Sequence, residues 1–248
     1  MARTGSEIDQ RNQSLLGHLV ELKARLVRAL WFIVAGTIVT YSISEKVFEF
    51  IRKPIAPYLP SGGLVFTGPA DKFIAHLKIS LFGGLILSCP FWFYQLWKFI
   101  APGLYKNERR YTLGFIFSAV VLFLVGCAFS YFIALPFAFE FLLGFGGNID
   151  KPMITIDQYM SFFLLTTLMF GASFEMPLVI VVLGMMGLVS AKFLREKRRF
   201  AVVGIAIVSA VITPPDLMSM LLMLIPMLVL YEISILIVGF FEKKREIN

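Results

Sequence analysis

The stretch FAVVGIAIVSAVITPPDLMSMLLMLIPMLVLYEISILIVGFF, residues 200–241, decides how the chain is organised. It is apolar nearly throughout, yet far longer than the roughly 20 residues that one bilayer-crossing helix needs. Thr213, Pro214, Pro215 and Asp216 divide it. Adjacent prolines remove helix donors and disfavour a helical residue before them, so the stretch predicts a hairpin of two helices, 200–213 and 217–241. At 1.5 Å per residue the first arm reaches only about 21 Å, against about 30 Å of hydrocarbon. Such a helix must thin the membrane or shelter behind its neighbours.

Working outward, four further apolar runs predict spans at about 26–43, 73–97, 111–135 and 158–188. The basic residues test the count, because Lys and Arg collect in cytoplasmic loops. Six spans put Arg3, Arg11, Lys23, Arg25 and Arg28 on one side with Lys98, Lys106, Arg109, Arg110, the Lys192–Arg199 cluster and Lys243–Arg245. Only Lys46, Arg52, Lys53, Lys72 and Lys151 fall on the other. Reading 200–241 as one span would split the basic clusters between the two faces. The expectation is therefore an all-α polytopic membrane protein with both termini cytoplasmic.

Composition agrees. Of 248 residues, 58% are hydrophobic, 16% charged and 26 are Phe, a profile that water-soluble domains do not show. The net charge of +7 lies in short clusters between apolar runs rather than on one solvated face, so nucleic acid is not expected as a partner. Cys89 and Cys127 fall inside apolar runs and read as small buried hydrophobes. The charged first 25 residues are too long and mixed for the n-region of a cleaved signal, so the N-terminus is expected to be retained. The loops at 44–72 and 136–157, rich in Pro and Gly, predict short caps.

An enzyme finds little support. His18 and His76 stand far apart, there is no HExxH, CxxC or acidic cluster, and no P-loop or GxSxG occurs; no cofactor is expected. What stands out is acid in unusual places. Leu15, Leu19, Leu22 and Leu26 share one helical face while His18, Glu21, Arg25 and Arg28 share another, which predicts an amphipathic surface helix leading into the first span. Spacing alone makes Glu21 and Arg25 an i,i+4 ion pair worth about 0.3–0.5 kcal/mol. Glu108 sits among Lys106, Arg109 and Arg110, and the plain reading is a solvated loop that fixes orientation. Beside it, however, Phe99, Pro102, Leu104 and Tyr105 make an apolar surface suited to a partly hydrophobic, cationic peptide.

Lys78, just inside the second span, can snorkel to the interface. Pro90, Pro136, Pro177 and Pro226 would kink the helices into a bent bundle with concave surfaces. Glu175 is the demanding case: it lies roughly 20 Å of helix from Leu188, within the hydrocarbon. A charge there costs about 2.5 kcal/mol or more, so the group must be protonated, paired or reached by water. Intramembrane acids are functional by default, against the alternative of a structural hydrogen bond to another helix. Glu232 lies nearer the cytoplasmic end and is less demanding.

These residues sit in longer matching stretches: HLVELKARL at 18–26, KPIAP at 53–57, LILSCPFWFYQLWKFIAPGLYKNERR at 85–110, SYFIALPFAFEFL at 130–142, FGASFEMPLVIVVL at 170–183 and ITPPD at 212–216. With them the chain resembles the TatC family, the multispanning core subunit of the twin-arginine protein translocase. The resemblance implies a glove-like bundle in the bacterial inner membrane that receives folded cargo through signal peptides bearing paired arginines. It implies that Glu21 and Glu108 bind those arginines, with Lys23, Arg25, Phe99 and Tyr105 around them, since guanidinium groups pair bidentately with carboxylates. Glu175 would be the family's intramembrane glutamate, and Pro54 and Asp216 would serve the extracytoplasmic cap. Partners implied are single-span TatA- and TatB-type proteins, the latter against the fifth helix, with self-association in a larger complex and energy from the proton-motive force. Shortly after the PPD turn, where related sequences often carry a polar residue, this chain has Met218 and Met220. A proton-coupled small-solute transporter built on Glu175 is the alternative, but no internal repeat relates the two halves.

Overall fold

The structure, a computed structural model, describes residues 3–59, 63–101, 112–144, 152–213 and 216–247. Helix α1 (Arg3–Tyr41) is continuous, so the expected surface helix and first span are one rod. It ends in a sharp reversal: α2 (Ser44–Arg52) runs at 84° to it. A 3-10 turn at Ala56–Tyr58 follows, then α3 (Asp71–Leu87) and α4 (Cys89–Ile100). The expected span at 73–97 is thus two helices bent by 58°, with Ser88 at the joint and Pro90 in the first turn of α4. Proline cannot donate there, and beside the joint the Trp92 indole N–H donates to the Leu85 carbonyl at 3.0 Å.

Helix α5 (Thr112–Phe129) passes through a π-helical turn at Ser130–Ala134 into α6 (Leu135–Gly144). This corrects the expected cap loop at 136–157, whose first nine residues are helical. The wider π turn relieves the clash that the Pro136 ring would otherwise make with the carbonyl four residues earlier, so the helix survives its proline. Helix α7 (Ile156–Phe174) and α8 (Met176–Met185) meet at Glu175, where Pro177 interrupts the ladder. Gly187, at φ 76°, ends α8 in a Schellman turn: the Leu188 N–H reaches the Leu183 carbonyl at 3.0 Å. Short α9 (Ala191–Glu196) then leads to the hairpin of α10 (Arg198–Ile212) and α11 (Leu217–Ile247), with Pro226 accommodated inside α11.

No strand forms among the described residues. A single bridge pairs Val65 with Thr155 and ties the loop before α3 to the start of α7. Glycine sets the closest helix crossings, as in many membrane bundles. A Cβ on Gly36 of α1 would stand 2.7 Å from the Gly84 carbonyl oxygen of α3, and one on Gly126 of α5 would stand 2.7 Å from that of Phe170 in α7. One large apolar core gathers Trp97, Phe115, Phe170, Phe174 and Met185 with Met223, Tyr231 and Ile235 of α11. A second joins Ile51 and Ile55 to Ile79, Leu135, Tyr159 and Phe163.

By length and hydropathy 113–144, 156–185 and 217–243 can each cross a bilayer, and the two bent pairs at 19–52 and 71–100 bring the number to five. Helix α10, with 15 residues, falls short of a full crossing, as the hairpin reading anticipated.

Candidate functional site

At the end of the bundle formed by α2, the 63–71 loop and the start of α7, polar groups meet their partners. The Tyr131 hydroxyl donates to the Phe50 carbonyl at 2.9 Å, and Tyr159 donates to that of Ile51, so two tyrosines close the last turn of α2. Lys78, expected to snorkel, instead pairs with Asp157 at 2.6 Å and donates to Ser161 at 3.0 Å. Asp71 accepts from the Thr67 and Gly68 N–H groups at 2.9 and 2.8 Å and from the Thr67 hydroxyl. Those backbone donors hold its carboxyl below the usual range. Pro54, buried, follows the end of α2, where a residue without an N–H cannot extend the helix. Asp216 caps α11: its Oδ1 accepts from the Ser219 N–H at 2.7 Å.

The opposite end of α4 is built differently. There Leu22, Arg25, Leu26, Ala29 and Ile33, at helical spacing on α1, form one wall of a groove of about 530 Å³. Leu85, Trp92, Gln95, Leu96 and Phe99 form the facing wall, and Phe123, Leu168, Met169 and Ala172 the floor. Arg25 and Phe99 are therefore brought together. Glu21 binds Arg25 as its spacing predicted: the guanidinium Nε donates to Oε1 at 3.0 Å and Nη2 donates to the same oxygen. Lys23 is exposed and lies about 200° of helix rotation from Arg25, off the groove wall. Tyr105 and Glu108 lie outside the described residues.

Glu175 occupies a separate cavity of about 370 Å³, behind α4, lined by Phe93, Leu96, Trp97, Phe115, Leu178 and Val182 among others. Its Oε1 is buried with no hydrogen-bond partner among the described residues, and so is the indole Nε1 of Trp97 on the same cavity. The arrangement offers an acid group to a proton, a water or an incoming donor inside an otherwise apolar space. In the groove, Gln95 repeats the pattern: it is only 9% exposed and its Oε1 has no partner among the described residues. The sequence reading passed over Gln95 and Trp97, although an amide within the apolar run 85–97 is a signal that could have been followed. Glu232 is paired with Arg198 at 2.6 Å. Met218 lines a third cavity, with Phe137, Glu140 and Leu221. Among the described residues no cluster of His, Cys, Asp or Glu could hold a metal.

Fold and cavities together define a multi-pass helical membrane protein with an acid and an amide group lining otherwise apolar cavities. Comparison with known proteins takes this further. The family model for the Sec-independent protein translocase protein TatC matches residues 17–226. The chain is 38% identical to the TatC of Desulforapulum autotrophicum, over 92% of this chain and 85% of that one. It is 36% identical to the TatC of Escherichia coli, over 94% and 90%. It is also similar to the crystal structure of the twin arginine translocase receptor TatC, with a TM-score of 0.76 and 36% identity over 90% of this chain and 98% of that one. The chain belongs to the TatC family, whose members are components of a protein translocase and not enzymes.

Proposed function

We propose that this chain is the receptor of a twin-arginine translocase, docking arginine-bearing signal peptides at the cytoplasmic mouth of the α1–α4 groove. One observation supports the reading: Arg25 of α1 and Phe99 near the end of α4 line one apolar groove, and Glu21, one turn before Arg25, is paired with that guanidinium. A signal arginine entering there exchanges with Arg25 for the Glu21 carboxylate, and Glu108 and Tyr105 complete the site from the following loop. Guanidinium forks select for this chemistry over lysine, which lacks the planar pair of donors.

The reading includes six spans at about 26–43, 73–97, 111–135, 158–188, 200–213 and 217–241, both termini cytoplasmic, in a bacterial inner membrane. The three long apolar helices, the two bent pairs and short α10 support that count, and the basic clusters support the orientation. TatA- and TatB-type single-span proteins join it, powered by the proton-motive force. Support for a partner at the fifth helix comes from α10, whose Phe200, Val203, Ile207 and Val211 are exposed. Glu175 serves as an intramembrane functional acid. Pro54 and Asp216 hold the extracytoplasmic cap.

The test is export. Glu21→Ala and Glu108→Ala each abolish export of a twin-arginine precursor and its crosslinking to the chain while the protein still inserts; normal export in both rejects the reading. The proton-coupled transporter built on Glu175 predicts instead that the purified chain alone moves a labelled solute into liposomes.

A further inference from the structure

The connection from α8 to α10 runs as a ramp along α11. Its upper end is fastened where the Glu242 carboxylate accepts from the Ala191 N–H at 3.1 and 3.2 Å. Further along, the Tyr231 hydroxyl donates to the Leu194 carbonyl at 2.9 Å, and Arg198 pairs with Glu232 at 2.6 Å. Glu232 and Glu242 stand about 15 Å apart along α11, so α10 begins well short of the end of its neighbour. On the ramp α9 buries Ala191 and Leu194 and turns Lys192 and Arg195, one helical turn apart, outward. Lys197 and Arg199 follow, both exposed, with the Lys197 Nζ 5.5 Å from the centre of the Phe200 ring.

These cations exceed what the fold uses. Glu242 is occupied by a backbone N–H and Glu232 by Arg198, and Glu196 is the one acid on the elbow itself. Among the described residues Lys192, Arg195, Lys197 and Arg199 make no ion pair. Orientation in the membrane asks only for positive charge on this side and for no particular placement. Here Arg198 and Arg199 open α10, where the helix dipole disfavours cations, with no acid in that turn and no side-chain cap. An anion at the elbow offsets both costs.

The surroundings select the anion. Leu188, Phe193 and Phe200 are exposed around the charges, an apolar rim beside the end of a helix too short to fill the hydrocarbon. A phospholipid presents a phosphate and then an acyl chain in the matching order, and phosphate oxygens accept from guanidinium and ammonium donors alike. An acidic peptide arriving from water would match the charges and leave the rim uncovered.

We propose that the elbow of α9 and α10 binds an anionic phospholipid of the adjacent leaflet, with Lys192, Arg195, Lys197 and Arg199 around its phosphate and Leu188 and Phe193 against its acyl chain. The α10 face from Val203 onward stays free for a single-span partner. The inference needs only that the chain spans a membrane and stands apart from the docking reading.

The test uses the purified full chain in vesicles of phosphatidylcholine with a trace of phosphatidylglycerol carrying a diazirine in its acyl chain, or of the matching phosphatidylcholine probe. Both leaflets carry the probe, so orientation does not enter. The anionic probe labels residues 188–200 about tenfold more than its neutral twin. Lys192→Gln, Arg195→Gln, Lys197→Gln and Arg199→Gln together bring the two probes to parity, while the exchange Lys192→Arg, Arg195→Lys, Lys197→Arg and Arg199→Lys keeps the preference. Labelling of α5, equal for both probes in every variant, reports an intact fold. Equal labelling of the elbow in the native chain, or a preference that survives in the glutamine variant, overturns the proposal. So does loss of the preference when single-span partners are added and crosslink to the elbow, which would assign it to an acidic protein segment.

Discussion

The two ends of the bundle solve opposite problems with similar residues. At the capped end Tyr131, Tyr159, Lys78, Asp71 and His76 each have a bonded partner, Ser44 in the case of His76, and five elements are stapled through side chains. Around α4 and α8 Gln95 Oε1, Trp97 Nε1 and Glu175 Oε1 are buried and lack partners among the described residues, and each residue lines a cavity. Satisfied polar groups fix a structure, whereas unsatisfied ones carry a desolvation cost that only an incoming group relieves. The difference reads as a rigid foundation opposite a surface prepared for a guest. The hairpin of α10 and α11 departs from the pattern, since Asp216 is half satisfied and Ser209 and Ser219 are buried without partners among the described residues.

If the foundation is what fixes the bundle, substitutions there lower stability and substitutions at the groove do not. The largest effect is expected at the α1–α3 crossing. Gly36→Val drives a side chain into the Gly84 backbone and costs about 3 kcal/mol or more, seen as failure to accumulate in the membrane. Tyr159→Phe strands the buried Ile51 carbonyl and lowers stability by about 1–3 kcal/mol, measured as the melting of detergent-solubilised protein. Asp216→Ala removes the α11 cap at about 1 kcal/mol, while Asp216→Asn keeps it; equal loss in both variants would assign Asp216 a role for its charge beyond capping. The smallest effect is on pH. The Asp71 carboxyl is depressed in the folded chain, so its clamp on Thr67 and Gly68 is intact above the ordinary carboxylate range near 4 and is lost as the pH falls through its lower folded value. Hydrogen exchange at those two amides should rise on that acid limb in the native chain and be pH-independent there in Asp71→Asn, apart from the intrinsic rate.

The sequence exposed those features whose signal is local. Hydropathy placed the apolar elements, the PPD turn divided the last of them, and i,i+4 spacing anticipated the Glu21–Arg25 pair. Features made between distant segments were hidden. Nothing near Lys78 announces Asp157, 79 residues away, and nothing near Tyr159 announces the carbonyl of Ile51. Pro136 looked like a loop residue because a π turn that absorbs a proline has no compositional mark. Gln95 was overlooked for the converse reason: one amide hardly alters the hydropathy of an aromatic-rich run, although in the folded chain it is the polar atom farthest inside the groove wall of α4 that lacks a partner among the described residues. The residues said to bind the signal were suggested by family resemblance. In the folded chain Arg25 and Phe99 line one groove, Glu21 pairs with Arg25, and Glu175 lines a different cavity.

The docking surface requires that Glu21 and Glu108 face the same compartment, and thiol labelling tests this directly. Single cysteines at the two positions, in a chain with Cys89 and Cys127 replaced, should both react with a membrane-impermeant maleimide from the cytoplasmic side only. Reaction of the two positions from opposite faces would leave no shared surface for the arginine pair and contradict the account.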